Sequence, residues 1–67
     1  MDAATLLEVF RERLAIMVID GGVDEAEAAK VAFYDTARLY GVEPRNMPNE
    51  AKEEMRKAVA ERLGHGS

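Results

Sequence analysis

The sequence predicts an all-α fold, a three-helix antiparallel bundle in a single domain. Three stretches carry apolar residues at the spacing of one helix face, and two breaks, at Gly21-Gly22 and between Gly41 and Met47, separate them. No stretch alternates apolar and polar residues as a half-buried strand does. Because 67 residues suffice for one small core, we expect residues 1–63 to form one helical domain and residues 64–67 to form a flexible C-terminal tail.

The first predicted helix covers residues 2–19 and becomes apolar on every side toward its end. Its main stripe consists of Ala3, Leu7, Phe10, Leu14 and Met17. From residue 14 to residue 19 no polar side chain remains. A helix that is apolar all round must be covered all round, and the other two helices, one rich in alanine and one mostly charged, offer little cover. We therefore expect an interface with another chain at Leu7, Phe10, Leu14, Ile16, Met17, Val18 and Ile19.

The second predicted helix covers residues 25–40 and has signals at both ends. Asp24 can accept hydrogen bonds from the free amides of the first turn, and Glu27 completes a capping box. Gly41 ends the helix, and Val42 is placed to make the apolar contact that accompanies a glycine cap. The alanine-rich face of this helix lets neighbouring backbones approach closely, which is typical of a middle helix packed on two sides.

The third predicted helix covers residues 49–63 and follows Pro48, which suits the first turn of a helix. It has a narrow apolar stripe and a wide charged face. Acidic side chains on that face can meet a basic partner surface; they are Glu50, Glu53, Glu54 and Glu61. An alternative interpretation is that the same charges only keep the protein soluble.

Residue types needed for catalysis or metal binding are scarce. The chain has no Cys, and its one His, His65, lies in the predicted tail, where no second group would hold the ring. The acidic residues around the Gly21-Gly22 turn lack the ligand spacing of a calcium loop and suit helix capping instead. We therefore expect no catalytic site, no metal and no cofactor, and we predict that the protein is not an enzyme.

Charge and hydropathy bear on location and partners. Thirteen acidic residues against nine basic ones give a formal net charge of −4, which repels polyanions and anionic lipid. No basic segment precedes the apolar run as it does in a secretory signal, and the run is far shorter than the roughly 20 residues that cross a bilayer. With no Cys the composition fits a reducing compartment. We expect a cytoplasmic protein that binds neither membrane nor nucleic acid.

One segment favours a different function, that of a small dimeric DNA-binding regulator. Residues 36–42 end in Gly41 and an apolar residue, as a helix-turn-helix motif does at its bend, and the third helix would then bring Lys52, Arg56 and Lys57 close to phosphates. The helix before Gly41 is longer than usual for this motif, the loop after it is longer than the usual turn, and the third helix carries several glutamates. A glycine cap between two bundle helices explains the segment better.

The function that the sequence favours is protein interaction. We expect a homodimer that meets through the first helix and that inhibits another protein or serves as its accessory subunit. That other protein would present a basic surface to the acidic face. Two alternatives remain open, a monomer whose first helix is wrapped by the other two and a complex with a different protein only.

Overall fold

The computed structural model describes residues 2–65, with side chains described up to residue 62, and contains three α-helices. Helix α1 spans Ala3–Ala15, α2 spans Glu25–Leu39 and α3 spans Asn49–His65. A π-helical turn, Ile16–Asp20, continues α1, and a short 3₁₀ turn, Pro44–Asn46, precedes α3. No residue within 2–65 lies in a strand. The predicted all-α, three-helix fold is therefore confirmed.

Helix α2 is the middle helix, as its alanine-rich face predicts. It packs against both α1 and α3, and those two contact each other less. Near the end of α3, Arg62 Nη1 lies 2.6 Å from Oδ2 of Asp24, the residue that precedes α2. Because this ion pair joins the end of one helix to the start of the other, α2 and α3 run in opposite directions.

The core centres on two aromatic rings set mostly among alanines, with Leu6 and Thr36 also buried. Phe10 of α1 and Phe33 of α2 are buried and meet edge to face, with ring centroids 6.1 Å apart. The buried alanines are Ala26, Ala28, Ala29, Ala32, Ala37, Ala51 and Ala58. Since methyl side chains let helix backbones approach closely, α2 can hold a helix on each side. Met47, from the loop before α3, is also buried in this core.

The helix starts are capped by aspartates. Asp2 accepts a hydrogen bond from the Thr5 amide, 2.8 Å, and Asp24 accepts one from the Glu27 amide, 3.3 Å. The predicted Asp24 cap is therefore confirmed. The carboxylate of Glu27 lies 3.4 Å from Lys30 Nζ rather than on the Asp24 amide, so the second half of the predicted capping box does not form.

The glycine at the end of α2 acts as the sequence predicts. Gly41 has φ of 64°, the left-handed conformation that glycine adopts at helix C-termini. The Val42 amide donates to the Ala37 carbonyl, 2.8 Å, and the Gly41 amide donates to the Arg38 carbonyl, 3.2 Å. This pair of bonds is a Schellman motif. Val42 packs against the core, which confirms the predicted apolar contact.

The end of the first helix differs from its prediction. The α-helical hydrogen bonding stops at Ala15, and the apolar run continues as the π-helical turn. The Gly21 amide donates to the Ile16 carbonyl, five residues back, and the Val23 amide donates to the Met17 carbonyl, 3.0 Å away. A Cβ on Gly21 would lie 2.8 Å from the Met17 carbonyl oxygen. The wide turn therefore closes because this position has no side chain.

The end of α3 also differs from its prediction. The helix runs through Gly64 to His65, two residues beyond the predicted end at Leu63. Glycine lowers helix propensity but keeps its backbone amide and carbonyl, so it does not by itself stop a helix. The last two residues of the predicted tail, Gly66 and Ser67, lie outside the described residues.

The Asp24 cap predicts a pH-dependent stability difference. The Glu27 amide, and then Arg62, hold the pKa of Asp24 below its ordinary value of 3.8. A lowered pKa in the folded state stabilises the fold above the unfolded-state pKa, and this contribution is lost as pH falls through the folded-state pKa. We expect Asp24→Ala to lower the urea midpoint well above pH 3.8, and the difference from wild type to shrink as pH falls from 3.8 through the lower pKa that Asp24 has in the folded state.

The matched control is Asp24→Asn, which keeps a capping oxygen but has no charge for Arg62. Its midpoint should lie between those of wild type and Asp24→Ala at neutral pH. Equal midpoints for all three proteins at neutral pH would contradict this role of Asp24.

The close approach of Gly21 to the Met17 carbonyl predicts that Gly21→Ala is destabilising. The added methyl group meets backbone that cannot move without opening the turn, and we expect a loss of about 1–3 kcal/mol in the free energy of unfolding. The control is Gly22→Asn. Gly22 has φ of 63° and open space around its Cα, and Asn tolerates that conformation, so its loss should be smaller. Urea melts in which Gly22→Asn is the weaker protein would refute the expectation.

Candidate interaction surfaces

The seven residues predicted for an interface lie in three different environments. Phe10 is fully buried in the chain's own core. Leu7, Leu14 and Met17 are partly buried and pack against that core, and Val18 is half-buried. Ile16 and Ile19 are 52% and 78% exposed. Of the predicted set, these two isoleucines of the π-helical turn present the most free apolar surface.

One of these isoleucines, Ile16, lines an apolar groove, which we call the terminal groove. It is formed where the end of α1 and the π-helical turn meet the end of α2, and its lining consists of Val9, Glu12, Arg13, Ile16, Met17, Leu39 and Tyr40. Leu39 is 58% exposed. The sequence does not distinguish Leu39 from the other apolar residues of the second helix, because spacing alone does not show which part of an apolar face a neighbouring helix covers.

A second apolar groove, which we call the lateral groove, lies between α2 and α3. Its lining consists of Lys30, Tyr34, Met55, Arg56, Val59 and Ala60. Tyr34 is 50% exposed and packs edge to face against Phe33, with ring centroids 5.3 Å apart. The sequence did not indicate this groove, because its walls come from two helices whose relative rotation no periodicity gives.

The four acidic residues of α3 do not form one uniform row. Arg11 of α1 donates through Nε to Glu54 Oε2, 2.9 Å, and also through Nη2, while Glu50 lies 3.8 Å from the same guanidinium. The hydrogen bond to Glu54 raises the pKa of Arg11. Glu54 thus ties α1 to α3 in the chain's own structure. Glu53 and Glu61 are exposed.

The basic residues of the third helix are also unequal. Lys52 donates to the backbone carbonyl of Arg45, and Arg62 pairs with Asp24. Arg56 and Lys57 are exposed, and neither forms an ion pair with a carboxylate of the described side chains. Of the three cations that a DNA-reading third helix would use, Lys52 is therefore held by the loop before α3.

The described residues contain few groups arranged for metal binding or with perturbed pKa values. They contain no group of three or more His, Cys, Asp or Glu side chains arranged to hold a metal ion. The lowered pKa values of Asp2 and Asp24 arise first from backbone hydrogen bonds at helix starts, which is a structural cause. No helix in the described part of the chain is long and apolar enough to span a membrane.

Comparison with known proteins gives no relative: no protein-family model, no characterised protein and no solved structure matches this chain significantly.

The contact between Arg11 and Glu54 predicts unequal effects of two neighbouring substitutions. Glu54→Lys places a cation against the Arg11 guanidinium, whereas Glu53→Lys makes the same charge change at an exposed position. We expect Glu54→Lys to lower the urea midpoint clearly more, and the difference to shrink at high salt because the pair is partly exposed. Equal midpoints at low salt would show that this contact does not help to hold α1 on α3.

Proposed function

We propose that this protein is a small, non-enzymatic protein-interaction module that acts as a homodimer, and that its two subunits meet at the terminal groove. The observation that carries the proposal is the exposure of Ile16 and Leu39, which both line this groove, and of Ile19 in the same π-helical turn as Ile16. Contiguous exposed apolar side chains are typical of an interface in a soluble protein. Burying one isoleucine side chain stabilises an assembly by about 1.5–3 kcal/mol.

A second copy of the chain suits the terminal groove. In a two-fold dimer the same surface serves both subunits, so it must carry complementary features side by side. The groove offers a depression lined in part by Ile16 and Met17 of the π-helical turn, and Leu39 on its α2 side is exposed enough to enter the same depression of a second copy. The neighbouring Glu12 and Arg13 also line the groove. Under two-fold symmetry each carboxylate can face the guanidinium of the other subunit, which favours self-pairing.

The role of the dimer follows from what remains on its surface. We propose that it inhibits another protein or serves as an accessory subunit, with Glu53 and Glu61 available to a basic partner surface. The absence of Cys and the acidic composition support a cytoplasmic location.

The proposed dimer predicts a specific response to charge. Ile16→Glu should leave the subunit folded, because the side chain is 52% exposed in the chain alone. It should prevent pairing, because Ile16 lines the terminal groove and the dimer would bury an unpaired carboxylate there. Light scattering at micromolar concentration should give twice the 7.4 kDa chain mass for wild type and the chain mass for Ile16→Glu.

The matched control is Ala4→Glu, which adds the same charge at an exposed position in the first turn of α1 and should stay dimeric. A monomeric wild type would refute self-association and assign the groove to a different protein. A dimeric Ile16→Glu would place the interface elsewhere on the molecule.

A further inference from the structure

The lateral groove has a chemical character unlike that of the rest of the surface. Its floor is apolar, formed by Met55, Val59 and Ala60, and the Tyr34 ring lies along it. Two cations, Lys30 from α2 and Arg56 from α3, complete its lining. The chain as a whole is acidic, with a formal net charge of −4. An apolar groove edged by cations is therefore a local exception to the charge of the molecule.

The exception arises from how charge is divided around α3. At about 100° per residue, Lys52 and Arg56 fall on the side of the helix that borders the lateral groove, and Glu54 and Glu61 fall on the other side. The contacts agree with this division. Glu54 and Glu61 line a depression with Leu14 of α1, and Glu54 binds Arg11. Glu54 and Glu61 are thus held away from the groove, whereas Glu53 falls between the two sides, about 100° from Lys52.

We propose that the lateral groove binds an acidic amphipathic helix of a partner protein. A helix in a groove buries apolar side chains spaced one turn apart, and the span from Lys30 to Tyr34, about 6 Å along α2, matches two such side chains. Carboxylates flanking them would face Lys30 and Arg56. Tyr, Met and Arg are also the residue types enriched at protein interfaces, and this groove supplies one of each.

Nucleic acid fits the groove less well. Phosphate backbones are bound by rows of cations, and this groove is lined by two cations among four apolar or aromatic residues. Lys52, which could extend a row beside Arg56, donates to a backbone carbonyl instead.

This proposal rests on the protein being an interaction module but not on the dimer, because the two grooves share no lining residue. Failure of the lateral-groove proposal can therefore be distinguished from failure of the proposed dimer. A partner on the lateral groove leaves Ile19 free to pair with a second copy.

The test uses a fluorescent synthetic helical peptide of about four turns, with leucines spaced one turn apart and glutamates flanking them. A second peptide carries lysines in place of the glutamates. Fluorescence anisotropy should show that the full-length protein binds the glutamate peptide and not the lysine peptide. Perturbation of the Met55 methyl resonance should place the glutamate peptide in the groove.

Charge reversal then tests the recognition. Lys30→Glu with Arg56→Glu should weaken binding of the glutamate peptide about tenfold, which corresponds to about 1.4 kcal/mol, and should gain binding of the lysine peptide. The paired control is Lys30→Glu with Lys57→Glu, which has the same net charge, but Lys57 lies on the glutamate side of α3. That control should keep more of the affinity and gain no lysine-peptide binding.

Several results would overturn the proposal. These are no binding of the glutamate peptide by wild type, equal losses in the two double variants, or salt-sensitive binding of duplex DNA in place of the peptide. If the variant with Lys30→Glu and Arg56→Glu has the mass of a monomer in solution, the lateral groove is instead an interface with a second copy of this chain.

Discussion

The close packing of α1 and α3 on the alanine face of α2 is the constraint on which the rest of the structure depends. Because alanine side chains are short, the outer helices come near enough for Phe10 to meet Phe33 edge to face. This core uses few large side chains. Larger apolar residues that are not buried in this core lie at its edges, and both apolar grooves are found there.

Two ion pairs between helices add to the contacts of the small core. Arg11 joins α1 to Glu54 of α3, and Arg62 joins α3 to Asp24 at the start of α2. Partly exposed ion pairs contribute modestly to stability, but these two link helices that are distant in sequence and so favour one arrangement of the bundle. The first pair also occupies the Glu54 carboxylate on the side of α3 away from the lateral groove, and Arg56 and Lys30 line that groove.

The π-helical turn connects backbone geometry to the proposed function. A π turn is wider than an α turn and is often found at functional sites. Here it carries the last residues of the apolar run, and Ile19 projects from it. The missing side chain at Gly21 lets the turn close against the Met17 carbonyl. The proposed dimer surface therefore depends on a backbone feature with a definite cause in the sequence.

The sequence by itself determined the helices, their order and most of their ends, because these follow from local rules. Asp24 and Gly41 cap helices through bonds to residues only a few positions away. Only the tertiary structure decided which apolar residues are buried. Phe10 and Ile19 both belong to the set of first-helix residues predicted for an interface, yet Phe10 is buried in the core and Ile19 is exposed. The lateral groove likewise exists only once α2 and α3 are packed, since burial depends on the rotation and distance of neighbouring helices, which residue spacing within a single helix does not contain.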